Sequence, residues 1–130
     1  MLRAFLEVDR ATMGPERLAA KLRGYARLHQ YVPTPVRRTA EAVQEQWRRH
    51  YPLFPRLLFV LDATGPVGID SRVRALHAAD VDLAVALLLR EVTVLAAPMT
   101  DLLQHGPAAA VWRPIRDPER RVGWMDPQTP

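Results

Sequence analysis

Glu7 and Asp9 stand two residues apart in the segment Ala4-Phe5-Leu6-Glu7-Val8-Asp9-Arg10. The apolar and polar residues of that segment alternate as a strand requires, which puts Phe5, Glu7 and Asp9 on one face and Ala4, Leu6 and Val8 on the other. Two carboxylates projecting into the same space can neutralise and hold a hard divalent cation such as Mg²⁺. Twelve residues beyond Asp9 comes Lys21, the single lysine among 18 basic residues of which the other 17 are arginine. An ammonium is a compact, adjustable point charge where a guanidinium is a broad planar fork. Placed beside two metal-holding acids, it can orient a water or stabilise charge on a phosphorane, the chemistry of metal-assisted phosphodiester hydrolysis. Glu7, Asp9 and Lys21 are therefore the candidate catalytic residues, with Glu7 and Asp9 the candidate metal ligands. The plainer alternative is that the two acids pair with Arg10, Arg23 or Arg27 on a solvated sheet edge.

These side chains need a strand and an adjoining helix to meet. Gly14-Pro15-Glu16 supplies a helix start, with proline at the first helical position and an acid in the first turn. Leu18, Leu22, Tyr25 and Leu28 follow as an apolar stripe at helical spacing, and Lys21 lies on its flank. Prolines 33 and 35 stop this helix. Ala40, Val43, Trp47 and Tyr51 then mark a second amphipathic helix, crowded at its ends by Arg37, Arg38, Arg48 and Arg49. The run RLLFVLD at 56–62 predicts a strand covered on both faces. A turn at 63–66 precedes a helix capped by Asp70 or Ser71 and running to about Ala79. Residues 83–89 are read as helix and 92–95 as strand, Thr100-Asp101 opens a short helix ended by Gly106-Pro107, and 111–113 form a last edge strand.

The order β-α-α-β-α-β-α predicts an α/β domain over residues 1–113 with a small, mostly parallel sheet and flanking helices. Residues 114–130, proline-rich and charged, are expected as a tail. A sheet of three short strands leaves an open edge, which invites a second copy or a partner protein.

Composition narrows the function classes. The 130 residues contain no cysteine, which removes disulfides, thiolate metal sites and a cysteine nucleophile and suits a reducing, cytoplasmic setting. No apolar run is long enough to span a membrane. The four histidines are scattered without metal-ligand spacing, so no zinc site is expected. A net charge of +4 and a pI near 10.3 favour a polyanionic partner, DNA above all. Arg10, Arg17, Arg37, Arg38, Arg48 and Arg49 are the candidate phosphate contacts.

Three blocks, FLEVDRATMGPERLAAKLRGYARL, FPRLLFVLD and TDLLQHGPAAAVWRP, cover most of residues 4–115. In content and order they resemble the actinobacterial plasmid replication-relaxation family, whose C-terminal part looks like a PD-(D/E)xK nuclease core. The resemblance implies a restriction-endonuclease-like fold, Glu7 and Asp9 on the metal-facing strand, Lys21 as a migrated active-site lysine, and a role in plasmid or mobile-element replication or transfer. The family's Pro-Asp strand and winged-helix-like region, which precede the Glu-x-Asp strand, do not occur in these residues, and the position two after Glu7 holds Asp9 where the nuclease pattern has lysine. The expectation is a nuclease-like DNA-binding protein, catalytically incomplete as this chain. The alternatives are a non-enzymatic interaction or oligomerisation module and a DNA-binding regulator.

Overall fold

The computed structural model describes residues 4–10, 14–30, 55–62 and 65–126. Along the chain run β1 (Ala4–Asp9), α1 (Pro15–Gln30), β2 (Arg56–Leu61), α2 (Gly65–Ala78), a 3₁₀ turn (Ala79–Val81), α3 (Leu83–Glu91), β3 (Val94–Pro98), α4 (Met99–His105) and β4 (Arg113–Pro114). The sheet has the order β1-β2-β3-β4, with β1, β2 and β3 parallel and β4 antiparallel to β3. The protein is thus α/β, with a four-stranded, mostly parallel open sheet and flanking helices, its last edge strand lying at Arg113–Pro114, at the end of the expected 111–113. The amphipathic segment carrying Arg37, Arg38, Arg48 and Arg49 lies outside the described residues.

β2 shows why its sequence is apolar throughout. Leu57, Phe59 and Leu61 face the helices and pack with Leu18, Leu22, Val73 and Leu88. Leu58 and Val60 face the other way and pack with Leu95, Ala97, Trp112 and Val122. Both faces of a central parallel strand are covered, so period-2 alternation disappears. The order 1-2-3 requires two crossovers of the same hand, which land on the same face. Accordingly α1 packs against both α2 and α3.

The helix ends follow local chemistry. α2 begins at Gly65, five residues before Asp70, the earlier of its two expected caps. Gly65 adopts φ 85°, a left-handed conformation that costs glycine little, and Pro66 then supplies the fixed φ of a first helical turn. Asp70 is left inside the helix to make ion pairs. α3 and β3 come in the expected order, with the Asp82 carboxylate capping α3 by accepting from the Ala84 and Val85 amides at 2.9 and 3.4 Å. Gly106, at φ 86°, ends α4 as its amide donates to the Leu102 carbonyl at 2.9 Å.

Residues 114–126 differ from the expected tail. The Ile115 amide donates to the Val94 carbonyl at 3.0 Å and its side chain is fully buried among the helix-facing core residues. Trp112 and Val122 form an antiparallel bridge. The His77 Nδ1 donates to the Ile115 carbonyl at 2.6 Å, and Arg56 Nη1 donates to the Trp124 and Asp126 carbonyls at 2.6 and 2.8 Å. Proline and charge hid three apolar anchors: Ile115, which joins the helix-facing core, and Val122 and Trp124, which close the second face of the sheet. Among the described residues no helix is long and apolar enough to cross a membrane. Truncating Ile115 to alanine is expected to lower stability by about 2–4 kcal/mol, the range for emptying a buried aliphatic site. Urea denaturation measures it, and a change below about 0.5 kcal/mol, as for a free surface residue, would restore the tail reading.

Candidate functional site

The candidate site grows from the register of β1 on β2. Phe5 pairs with Leu57, Glu7 with Phe59 and Asp9 with Leu61, so the two acids continue rows that in β2 are apolar and face the helix layer. Carboxylates there must find donors or lose solvation without compensation. α1 supplies two from one helical turn. Leu18, Ala19, Leu22 and Ala26 anchor its buried face, and on the flank of that stripe Lys21 and Tyr25, four residues apart, meet one side chain. Lys21 Nζ donates to Glu7 Oε2 at 3.1 Å, and the Tyr25 hydroxyl donates to Glu7 Oε1 at 2.6 Å. Tyr25 is itself held by stacking on Phe5, with ring centroids 5.8 Å apart, and by an edge contact with Phe59 at 6.5 Å.

Asp9 is served from α2. Arg72 Nε donates to Asp9 Oδ2 at 2.7 Å, and Arg72 Nη1 donates to the Gly68 carbonyl one turn back at 3.2 Å. The Asp9 and Arg72 side chains are 15% and 11% exposed, against 28% and 47% for Glu7 and Lys21. Further along α2, Asp70 accepts from Arg74 Nε at 2.6 Å and from Arg113 Nη2 at 3.2 Å, and Arg113 in turn donates to the Pro118 carbonyl at 2.8 Å. Three sets of ion pairs therefore run from the edge strand β1, through α2, to the other edge at β4.

Electrostatics follow the geometry. The Tyr25 hydrogen bond, with the Lys21 hydrogen bond and charge behind it, holds the Glu7 carboxyl below its usual range against an opposing desolvation. Burial, reinforced by the hydrogen bond to Glu7 and its negative charge, pushes the Tyr25 hydroxyl up to about 12. The ammonium expected beside the acids is thus in place, on Glu7. Lys21, Tyr25 and Arg72 serve the two acids, where the plainer alternative expected Arg10, Arg23 or Arg27. Arg10 directly follows β1 and Arg17 lies in the first turn of α1, both exposed.

Whether these residues suit a divalent cation is a question of free oxygens. Both Glu7 oxygens and Asp9 Oδ2 already accept from cationic or hydroxyl donors. Among the described residues no group of three or more His, Cys, Asp or Glu is placed to hold a metal ion. A resident Mg²⁺ would have to compete with the Lys21 and Arg72 charges and the Tyr25 hydroxyl for the same two carboxylates, so the donor set fits one poorly. What the arrangement does well is neutralise two acids at a sheet edge and fix strand to helices. No family model, curated protein or solved structure matches the chain.

Sequence reasoning missed Tyr25 as a polar partner, because it sits in the apolar stripe, and missed Arg72 and Arg113. Arg72 lies 63 residues from Asp9 in sequence, and no local spacing connects them. The one available signal was an arginine in the helix after β2, on the face given by Ile69, Val73 and Leu76.

Two outcomes follow from this geometry. Breaking the more buried pair by Arg72→Met is expected to cost about 3 kcal/mol, because Asp9 loses a buried charged donor, whereas Lys21→Met at the more exposed pair costs less than about 1 kcal/mol. Chemical denaturation ranks them, and equal losses would mean that the two pairs do not differ in burial energetics. The pH response has two limbs of opposite origin. Glu7 is lowered in the folded state, so its contribution is present above the unfolded carboxyl value, near 4.5, and is lost as pH falls through the folded value. Tyr25 is raised, so its contribution is present below 10 and is lost as pH climbs toward about 12. In a Tyr31→Phe/Tyr51→Phe background, ultraviolet titration of Tyr25 is expected to have its midpoint near 12 and to shift down, staying above 10, when Glu7→Gln removes the neighbouring charge. An unmoved midpoint would dissociate Tyr25 from Glu7.

Proposed function

We propose that this chain is a non-hydrolytic DNA-binding domain on a nuclease-like scaffold, acting in plasmid or mobile-element replication or transfer. The observation that carries the reading is the meeting of Glu7 and Lys21 at 3.1 Å, with Asp9 on the same strand face. This is the acid–lysine juxtaposition that the resemblance to the replication-relaxation family implies, on an open, mostly parallel sheet. The restriction-endonuclease-like assignment of that sheet is part of the proposal and rests on the same three sequence blocks. Hydrolysis is set aside because both acids of the trio are committed to protein donors and the donor set fits a cation poorly. Binding is retained because the chain is basic, at +4, through arginine, a side chain suited to phosphate oxygens.

A second reading has its own observation. β1 hydrogen-bonds to β2 along one edge, and among the described residues no strand pairs with its other edge. On the face of β1 away from the helices Leu6 is 61% and Val8 40% exposed. An edge strand with apolar side chains is a surface for a second copy or a partner protein. Under this reading the protein is an interaction module and the arginines are solvated surface.

One set of measurements separates these readings. Fluorescence anisotropy with a labelled duplex is expected to show binding near 50 mM salt that weakens by orders of magnitude near 200 mM, as counterion release requires. Plasmid DNA incubated with Mg²⁺ or Mn²⁺ is expected to remain intact with the wild type and with Lys21→Ala alike. Absence of binding at the lowest salt would remove the DNA reading, and nicking by the wild type alone would overturn the non-hydrolytic one. Light scattering decides the alternative, since a strict monomer at high concentration counts against pairing of copies at β1.

A further inference from the structure

A cleft lies away from Glu7 and Asp9, at the other end of the strands. It has a volume of about 500 Å³ and is bounded by the last turn of α3, the residues leading into β3, and the segment after β4. Three arginines stand around it, Arg90 from α3 and Arg116 and Arg120 from the segment after β4, together with Thr93 and the acids Glu91 and Asp117. All three arginines are exposed.

The cleft would be poor for an anion if the carbonyl end of α3 and the two acids dominated it, because a helix C-terminus favours cations. Each is offset to a different degree. Arg116 Nη1 donates to the Leu89 carbonyl at 3.5 Å, a long hydrogen bond that turns a guanidinium toward one last-turn oxygen, while the Val92 amide takes the Leu88 carbonyl at 2.8 Å. Glu91 Oε2 lies 3.1 Å from His29 Nε2 of α1. Glu91 and Asp117 together set two negative charges against the three positive ones, with the Glu91 carboxylate turned toward His29. The guanidiniums of Arg90 and Arg120 make no hydrogen bond or ion pair among the described residues, so their donors are available to a ligand. Arginine forks match the paired oxygens of a phosphate, and a threonine hydroxyl adds a neutral donor.

We propose that this cleft is a phosphate-recognition site whose ligand is the phosphodiester backbone of nucleic acid, gripped by Arg90 and Arg120 with the help of Arg116. The nucleic-acid part of the inference rests on the proposed function, whereas the phosphate chemistry rests on the cleft. It moves the DNA contact away from Arg10 and Arg17, near the strand carboxylates, to the far end of the sheet. Arg116 and Arg120 belong to the segment that composition marks as a tail, and they share the cleft with Arg90 because Ile115 fastens that segment to β3.

The test compares the wild type with Arg90→Glu/Arg120→Glu and with Arg23→Glu/Arg27→Glu, a pair on α1 with the same change in net charge. Circular dichroism checks that each variant is folded. Duplex affinity at low salt is expected to fall at least tenfold more in the cleft variant than in the α1 variant, and the slope of log affinity against log salt to shrink by about 2, one for each phosphate no longer neutralised. Equal reductions in the two variants would overturn the cleft while leaving DNA binding intact. Titration with inorganic pyrophosphate, followed by amide chemical shifts, is expected to move Thr93 and Arg116 in the wild type and not in the cleft variant. If the duplex fails to bind but pyrophosphate moves those resonances, the DNA reading falls and the phosphate site stands. If neither happens, both fall.

Discussion

Two carboxylates occupy the helix-facing row of β1, in the register where β2 presents Phe59 and Leu61. A charged oxygen taken out of water needs a donor at hydrogen-bond distance, and a side chain left without one costs more than most packing interactions contribute. The edge strand docks on β2 with α1 bringing Tyr25 and Lys21 to Glu7 and α2 bringing Arg72 to Asp9. The requirement fixes the rotation of both helices, since each must aim polar groups at β1 while its leucines and valines enter the core. Tyr25 meets both demands with a single side chain, its ring among Phe5 and Phe59 and its hydroxyl on Glu7.

The topology then limits where a ligand can sit. In open parallel sheets the usual crevice forms at a switch point, where neighbouring connections leave for opposite faces. Here α1, α2 and α3 share one face, so among the described residues the connections of β1, β2 and β3 form no such switch point. The C-terminal ends of β1 and β2 are drawn together instead by Asp9, whose carboxylate takes Arg72 and whose carbonyl accepts the Asp62 amide at 2.7 Å. The opposite face is closed over β2 and β3 by Trp112, Val122 and Trp124, with Met99 and Leu102 of α4.

What the sequence made legible was local. The alternation of 4–9 and the Gly14-Pro15 start place Glu7, Asp9 and Lys21 within one strand-to-helix unit, and the Glu7–Lys21 approach at 3.1 Å is the consequence. The same Gly-Pro signal opens α2 at Gly65 and Pro66, yet there it reads as a turn, because Asp70 and Ser71 offer capping side chains a few residues later. The pairing of Asp9 with Arg72 and of Asp70 with Arg113 joins residues 63 and 43 apart, distances at which periodicity carries no information. Composition misjudged 114–126 for a related reason. Average polarity is high there, but burial is decided by single residues, and Ile115, Val122 and Trp124 hold the segment on the sheet.

Charge pairing and charge surplus are two sides of one arrangement. Glu7, Asp9 and Asp70 each take cations that the fold already requires, and Glu91 lies against His29. Asp70 takes two at once, Arg74 and Arg113. A basic chain that commits its acids to a limited set of internal pairs leaves guanidiniums such as those of Arg90 and Arg120 facing solvent. Their repulsion is tolerable in water, where charges are well screened beyond about 10 Å at ordinary ionic strength, and it is relieved when a polyanion replaces the counterions. Under the DNA-binding function proposed above, the carboxylates of β1 would serve binding indirectly. Held in place, they lock the sheet edge to the helices without competing for the basic surface at the other end of the strands.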